Sequence, residues 1–265
     1  MDQVKAAARD DDARLRPPSL FLALTEFRAW QEFGASMAFA PLLLAGPRGD
    51  GHTVLVLPGF MASDASTRLL RAYLRMQGYN AVGWELGRNT GGFYRTRETL
   101  RSRLAKLHEE AGHKIALVGW SLGGVFARDL ALSMPNVVRS VITLGSPFAG
   151  DISATNARRL YEEVTGEKPT DARPQDLRSL GGDLGMPTTS IYSRYDGVVH
   201  WKTSLTREND HTENIEIALA SHLGLGGHPA ALWAIADRLA QREGEFTPFR
   251  RGGPFALAYL TRETA

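Results

Sequence analysis

Six short apolar runs alternate with segments of helical periodicity between residues 52 and 240, and this alternation is the strongest constraint on the fold. Continuous runs of aliphatic and β-branched residues are typical of strands that are buried on both faces. Strands that alternate with helices predict an α/β fold, with a mostly parallel sheet of about six strands and helices on both faces. The predicted strands span residues 52–58, 79–86, 113–120, 138–144, 188–192 and 215–219.

The length of 265 residues suits one α/β domain that spans residues 1–265. Residues 1–50 precede the first strand and form a predicted N-terminal helical segment. Residues 148–186 lack a strand-like run, and we interpret them as a lid or cap insertion. A short amphipathic helix is predicted within them from apolar residues at i, i+3, i+4 and i+7, namely Ala157, Leu160, Tyr161 and Val164. The sequence leaves open whether this helix moves as a lid or only covers a sheet edge.

The third predicted strand runs directly into a Gly-x-Ser-x-Gly pattern at residues 119–123. This pattern is typical of a sharp strand-to-helix turn that exposes a serine hydroxyl. A hydroxyl is a weak nucleophile, so it needs a histidine base and a carboxylate that orients the base. Ser121 is therefore a candidate nucleophile, and the alternative is an ordinary helix N-cap.

Asp196 and His222 each follow a later predicted strand, as Ser121 follows the third. Because parallel strands end at one edge of a sheet, the three side chains are expected to meet there. Asp196 has an alternative role as the first residue of a turn before Gly197. His228 is the main rival of His222, although its place at a predicted helix start favours a capping role.

The sequence resembles the serine α/β hydrolases of esterase/lipase type over about residues 50 to 240. The segments that carry the resemblance are Leu57-Pro58-Gly59-Phe60, residues 119–124, Ser193 to Val199, and Ser221-His222-Leu223-Gly224. The order serine, aspartate, histidine is the one that this fold requires. The resemblance implies that Ser121 attacks a carbonyl, that His222 transfers the proton and that Asp196 orients the imidazole.

The resemblance also implies an oxyanion hole formed by the backbone N–H groups of Phe60 and Leu122. Many family members have His-Gly where this chain has Pro58-Gly59, and many have histidine at the position of Trp120. Neither difference removes a backbone donor. The two antiparallel strands that open larger members have no counterpart in the sequence, which indicates a compact version of the fold.

Apolar side chains near the candidate nucleophile predict an apolar acyl group. We expect Met61 and Trp120 to bind substrate, with Phe60 and Leu122 beside them. The predicted reaction is hydrolysis of a small-molecule or lipid-like carboxylic ester through an acyl-serine intermediate. Two alternatives stay open: acyl transfer to an acceptor other than water, and a non-catalytic binding protein with this fold. The sequence determines neither the acyl chain length nor the oligomeric state.

We expect no cofactor and no metal. No His-x-x-x-His spacing is present, and the glycines at residues 224–227 lack the Gly-x-Gly-x-x-Gly dinucleotide pattern. The net charge is only +2, and no block of five basic residues occurs, which argues against a nucleic-acid partner. The absence of cysteine excludes a disulfide framework and fits the cytoplasm, where we expect the protein to act.

The N-terminal part of the chain does not have the pattern of a secretory signal, because residues 1–16 carry mixed charges and no leading apolar run. Residues 20–44 are apolar, but Glu26, Arg28 and Glu32 interrupt the run that a membrane span would need. We expect a helix that packs on the domain, and peripheral contact with a membrane is the alternative.

Overall fold

One seven-stranded sheet organises the computed structural model of the protein, which describes residues 15–150, 153–166 and 179–260. The strands are β1 (Thr53–Leu57), β2 (Asn80–Gly83), β3 (Ile115–Trp120), β4 (Val138–Leu144), β5 (Thr188–Tyr192), β6 (Thr212–Ile217) and β7 (Tyr259–Leu260). Their spatial order is β2-β1-β3-β4-β5-β6-β7. Strands β1 to β6 run parallel, whereas β7 is antiparallel to β6. The predicted α/β class and mostly parallel sheet are confirmed.

Helices precede the sheet and connect its strands. They are α1 (Leu20–Leu24), α2 (Ala29–Ala38), α3 (Ala40–Leu44), α4 (Arg68–Met76), α5 (Phe93–Ala111), α6 (Leu122–Ser133), α7 (Arg158–Thr165) and α8 (Pro229–Leu239). Short 3₁₀ turns lie at Thr25–Arg28, Trp201–Ser204 and Ala256–Ala258. None of the helices in the described part of the chain combines the length and the apolar character needed to cross a membrane.

Two hydrophobic cores form because successive side chains of a strand point to opposite faces of the sheet. On β1, Val54 and Val56 join the core that contains residues of α4 and α8. Leu55 and Leu57 join the other core, with residues of α5 and α6. All four side chains are fully buried, which explains why the strand is apolar throughout rather than alternating.

The structure refines the number and the bounds of the predicted strands. About six strands were predicted and the sheet has seven, because the two residues of β7 are too few to show a periodicity and depend on pairing with β6. Strand β6 spans Thr212–Ile217 instead of 215–219, and Leu219 has a positive φ of 56° that ends extended backbone.

The two predicted additions to the sheet are described only in part. Residues 1–14 of the N-terminal segment lie outside the described residues, and α1 to α3 occupy the rest of it. Within the insertion, residues 151–152 and 167–178 also lie outside them. The predicted amphipathic helix is confirmed as α7, but Leu160 and Val164 are exposed. Of the three larger side chains on the predicted apolar face, only that of Tyr161 is partly buried.

Truncation of a core side chain on the central strands tests this architecture. We expect Leu117→Ala on β3, at a fully buried position, to lower the free energy of unfolding by about 2–5 kcal/mol because it leaves a cavity. The same exchange at Leu257, which is 98% exposed, is the matched control and should change it by less than about 0.5 kcal/mol. Urea denaturation of both variants measures the difference, and equal effects would contradict the assigned core.

Candidate active site

Ser121 lies in the turn between β3 and α6 with a strained backbone. Its φ is 54° and its ψ is −124°, a conformation that residues other than glycine rarely adopt. The Ser121 N–H donates to the carbonyl of Leu144 on the neighbouring strand, over 2.8 Å. This geometry is that of a nucleophile elbow, in which the side chain stands clear of the sheet edge.

The glycines around Ser121 are required by close backbone packing. A Cβ atom on Gly123 would lie 2.3 Å from the carbonyl oxygen of Leu57 in β1. A Cβ atom on Gly119 would lie 2.4 Å from the carbonyl oxygen of Gly123. Helix α6 can therefore begin directly against β1 and β3 only because these side chains are absent.

Asp196 and His222 meet at the carboxyl ends of β5 and β6. Asp196 Oδ2 lies 2.6 Å from His222 Nδ1, and both residues are buried. Asp196 Oδ1 accepts the N–H groups of Val198 and Val199 at 2.8 and 2.7 Å. Asp196 thus initiates a turn and also contacts the histidine, so the turn does not prevent the carboxylate from reaching His222.

The surroundings of His222 favour its protonated form. Burial by itself lowers the pKa of His222, but the Asp196 carboxylate and the more distant Glu26 carboxylate outweigh it and raise the pKa above its ordinary value. A carboxylate on Nδ1 also favours the tautomer with the proton on that nitrogen, which leaves Nε2 as an acceptor. A general base needs this neutral tautomer, in which Nε2 can accept a proton.

The three predicted catalytic residues converge at this sheet edge. Gly145 follows β4, and a Cβ atom there would lie 2.9 Å from Asp196 Oδ2 and 3.1 Å from His222 Nδ1. The residue before it, Leu144, accepts the hydrogen bond from the Ser121 N–H. The end of β4 therefore links the Ser121 turn to Asp196 and His222. This arrangement brings an imidazole that can accept a proton to the same sheet edge as a strained serine turn.

Trp120 is placed differently from the sequence prediction. It shares the face of β3 with Ala116 and Val118, so its ring is directed into the core and is only 7% exposed. Its Nε1 donates to the carbonyl oxygen of His222 over 3.0 Å. The expectation that Trp120 lines an acyl pocket is therefore corrected: its side chain supports the histidine loop from beneath.

The loop after β1 brings candidate oxyanion donors beside Ser121. A Cβ atom on Gly59 would lie 3.2 Å from Ser121 Cβ, so the loop and the serine turn are in contact. The N–H groups of Phe60 and Leu122 donate no hydrogen bond to another described residue. The Met61 N–H, by contrast, donates to the Asn89 carbonyl over 2.7 Å. Phe60 and Leu122 therefore retain the donors that an oxyanion would need.

Asn89 shapes this loop and was missed from the sequence. It is fully buried after β2, and its Nδ2 donates to the Pro58 carbonyl over 2.9 Å. Its backbone N–H donates to Ala62, and its carbonyl accepts from Met61, both over 2.7 Å. An asparagine in a glycine-rich loop carries no sequence signal for such a role, because its partners are about 30 residues away.

Helix α7 of the insertion contacts the loop after β1 that carries Phe60. The rings of Tyr161 and Phe60 are 5.3 Å apart between centroids. A Cβ atom on Gly91 would lie 2.7 Å from Thr165 Cγ2, so α7 also contacts the loop after β2. These contacts place α7 above loops at the carboxyl ends of the strands.

The ends of the insertion are tied to the helix that follows Ser121. The buried guanidinium of Arg128 on α6 donates to the carbonyls of Leu180 and Gly182. Its Cζ also lies 4.1 Å from the centroid of the Phe148 ring. Arg128 therefore joins the beginning of the insertion and residues near its end to one helix.

The other histidines near the site have structural roles. His228 Nδ1 accepts the Ala230 N–H over 3.2 Å and caps α8. Burial lowers the pKa of His228 to about 4, so it is neutral at physiological pH. His200 caps the 3₁₀ turn at Trp201–Ser204. Within the described ranges, no group of three or more histidine, aspartate or glutamate side chains could hold a metal ion.

Comparisons with known proteins support the α/β fold. No protein-family model matches the chain. A pimeloyl-[acyl-carrier protein] methyl ester esterase of Vibrio parahaemolyticus is 27% identical, over 47% of this chain and 69% of that protein. The structure of lipase B of Aspergillus fumigatus matches with a TM-score of 0.57 and 16% identity, over 73% of this chain and 53% of that one.

A second solved structure, an α/β superfamily hydrolase of Oenococcus oeni, matches with a TM-score of 0.51 and 15% identity. It covers 71% of this chain and 91% of that one, whereas this chain spans about half the length of the lipase. The structural matches show that this chain has the fold of the α/β hydrolases. The sequence relative to which it is similar is named as a methyl ester esterase.

Proposed function

We propose that the protein hydrolyses carboxylic esters through an acyl-serine intermediate on Ser121, with His222 as the general base and Asp196 as the residue that orients it. The observation that carries this proposal is the buried 2.6 Å contact between His222 Nδ1 and Asp196 Oδ2, at the same sheet edge as the strained Ser121 turn. The sequence relative named as a methyl ester esterase supports the ester as the substrate class.

The reaction follows from these positions. Ser121 Oγ attacks the ester carbonyl while His222 Nε2 takes the hydroxyl proton, and the carbonyl oxygen becomes an oxyanion. The C–O bond to the alcohol then breaks, and the alcohol leaves with the proton from His222. Water attacks the acyl-serine by the same route and releases the acid and free Ser121. Side chains and water supply every proton and nucleophile, so the proposed reaction needs no cofactor.

The proposed oxyanion hole consists of the N–H groups of Phe60 and Leu122. The support for this assignment is that neither N–H donates a hydrogen bond to another described residue, whereas the Met61 N–H donates to the Asn89 carbonyl. Losing one such donor typically lowers the rate by about 10²–10³-fold. The hydrogen bonds of Asn89 to both sides of this loop keep the Phe60 N–H in place.

We propose apolar acyl groups as the preferred substrates, as in a small-molecule or lipid-like ester. The support is the half-buried apolar lining formed by Phe60, Met61, Leu122 and Tyr161, without Trp120. Helix α7 is the proposed lid, since the ring of Tyr161 lies against that of Phe60, beside the Ser121 turn. The exposed Leu160 and Val164 on α7 suit contact with an apolar substrate.

Removal of the nucleophile tests the reaction. We expect Ser121→Ala to leave a folded protein that has lost p-nitrophenyl ester turnover, because no other hydroxyl lies in the elbow turn. Turnover and thermal unfolding are measured on the same preparation. Undiminished turnover would contradict the mechanism, and a wild-type protein that a fluorophosphonate probe does not label would indicate a non-catalytic binding protein. Product analysis with added alcohol acceptors separates hydrolysis from acyl transfer.

Two histidine variants test the base. We expect His222→Ala to reduce fluorophosphonate labelling of Ser121 by about 10³-fold or more, because no group then takes the hydroxyl proton. His228→Ala is the matched control and should keep labelling while lowering the free energy of unfolding by about 1 kcal/mol through loss of a cap. Loss of labelling in His228→Ala alone would assign the base to that residue instead.

We also propose that the N-terminal helices bind peripherally to a lipid surface. Large apolar side chains face solvent there, namely Leu20, Phe21, Leu24, Phe27 and Trp30. A cluster of this size commonly marks an interaction site, and tryptophan and phenylalanine favour the lipid–water boundary. The exposed Tyr195, Leu219 and Leu223 lie on the loops that carry Asp196 and His222, so the apolar surface continues toward the proposed substrate site.

Vesicle binding tests this surface. We expect the wild-type chain to sediment with phosphatidylcholine vesicles and a Phe21→Ser/Trp30→Ser double variant to bind at least about 10-fold more weakly, because two aromatic side chains no longer enter the lipid. Leu257→Ser, at another exposed leucine, is the matched control and should bind as the wild type does. The proposal would be contradicted by a wild-type protein that does not bind vesicles, or by one that light scattering shows to dimerise through this face.

A further inference from the structure

The charged residues that interrupt the apolar N-terminal segment point toward the protein. Glu26 and Glu32 are buried, and Arg28 is mostly covered, with a side chain that is 19% exposed. Phe27 and Trp30, beside them in sequence, face solvent. At these positions the polarity is opposite to that of an ordinary surface helix, whose charged residues face solvent, although Ala29 and Leu43 of the same segment are buried. Something beneath the segment must therefore compensate the buried charges.

Glu26 binds both loops of the proposed acid and base. Its Oε1 accepts the N–H of Gly197, next to Asp196, over 2.7 Å. The same oxygen accepts the N–H of His222 over 2.9 Å. Its Oε2 accepts the N–H of Leu223 over 2.8 Å. One carboxylate thus connects a loop after β5 to a loop after β6, through residues that flank or form the catalytic pair.

Arg28 and Glu32 extend this connection. Arg28 donates to the carbonyls of Leu219 and Ala220, before His222, and to the carbonyl of Tyr195, before Asp196. Glu32 Oε1 accepts the Ser221 N–H over 2.8 Å. We call Glu26, Arg28 and Glu32 the N-terminal clamp. Its members make seven hydrogen bonds to the backbone of the two loops.

Glycines in the two loops leave room for the N-terminal segment that carries the clamp. A Cβ atom on Gly197 would lie 2.3 Å from the Leu22 carbonyl oxygen of α1. A Cβ atom on Gly224 would lie 1.7 Å from Glu32 Oε2. Side chains at these positions would push the N-terminal segment away. Part of the glycine-rich run at residues 224–227 is therefore explained by helix packing, not by binding of a phosphate.

We propose that Glu26 is a positioning residue that fixes Asp196 and His222 relative to each other and stabilises the protonated imidazole during catalysis. This inference rests on the proposed function, since it assigns Glu26 a role in the same reaction. Hydrogen bonds from N–H groups to an ionised carboxylate are about twice as strong as neutral ones. Strands β5 and β6 are joined by a long connection, so a shared ligand restricts the relative motion of their ends.

The electrostatic part of the role depends on the groups around His222. Asp196 faces its Nδ1 from the loop after β5, and Glu26 faces its backbone from the N-terminal segment. Glu32 and Arg28 contact the neighbouring residues Ser221 and Ala220. After Asp196, the negative charge of Glu26 contributes to the raised pKa of His222. Removing that charge should therefore make the imidazole harder to protonate.

The variant Glu26→Gln tests the proposal with little change in shape. Its amide N–H₂ group must face at least one backbone N–H, so one or more of the three hydrogen bonds is lost. We expect kcat/KM for a p-nitrophenyl ester, per serine titrated with fluorophosphonate, to fall by about 10- to 100-fold. The acid limb of its pH profile should move to lower pH, because catalysis needs neutral His222 and the pKa of His222 is lower without the charge.

Two further variants separate positioning from general stability. Glu26→Asp keeps the charge on a shorter side chain, so its acid limb should stay at the wild-type pH while kcat/KM falls. Glu110→Gln removes an exposed carboxylate from α5 and should match the wild type in kcat/KM and in the acid limb. A Glu26→Gln protein that only melts earlier, with wild-type kcat/KM per titrated serine and an unmoved acid limb, would overturn the proposal.

Failure of this proposal is distinguishable from failure of the proposed function. If the fluorophosphonate labels Ser121 in the wild type and Glu26→Gln leaves kcat/KM and the acid limb unchanged, only the role of Glu26 is wrong. If the wild type is not labelled and Ser121→Ala retains turnover, the triad itself is wrong. The labelled wild type with a shifted Glu26→Gln profile supports both.

Discussion

The buried contact between Asp196 and His222 imposes the strictest requirement on the rest of the structure. An imidazole and a carboxylate 2.6 Å apart, both removed from water, are stable only if their remaining polar groups are paired. The turn N–H groups of Val198 and Val199 satisfy the second oxygen of Asp196. On the other side, Trp120 takes the carbonyl of His222. The neighbouring elements therefore contribute hydrogen bonds as well as apolar packing.

The parallel sheet makes this contact geometrically accessible. Strands β3 to β6 are parallel neighbours in the sheet, so the residues that follow them lie at one edge. Helix α6 begins against β1 because Gly123 has no side chain, which brings the Leu122 N–H beside the loop of Phe60. The same edge thus combines a strained serine, a paired histidine and free backbone donors. Helix α7 lies above this edge and Arg128 ties its segment to α6.

The N-terminal segment has charged residues on its inner face and large apolar side chains on part of its outer face. Glu26, Arg28 and Glu32 on the inner face bind the loops that carry Asp196 and His222. Its outer face carries Phe21 and Trp30 and is available to a lipid surface. The two proposals are independent, because one concerns backbone hydrogen bonds beneath the segment and the other concerns exposed apolar area. Together they assign a role to a part of the chain that precedes the sheet.

The sequence by itself determined the α/β class, most strand positions and the candidates Ser121, Asp196 and His222. Periodicity and motif order are local signals, and a buried parallel strand is apolar whatever surrounds it. Tertiary structure alone decided which way Trp120 points and what Glu26 and Asn89 bind, because their partners are distant in sequence. It also decided the pairing of the two-residue strand β7. From sequence, the side chain of an isolated glutamate in an apolar run is expected to be exposed. The backbone N–H groups of two remote loops make burial of Glu26 favourable.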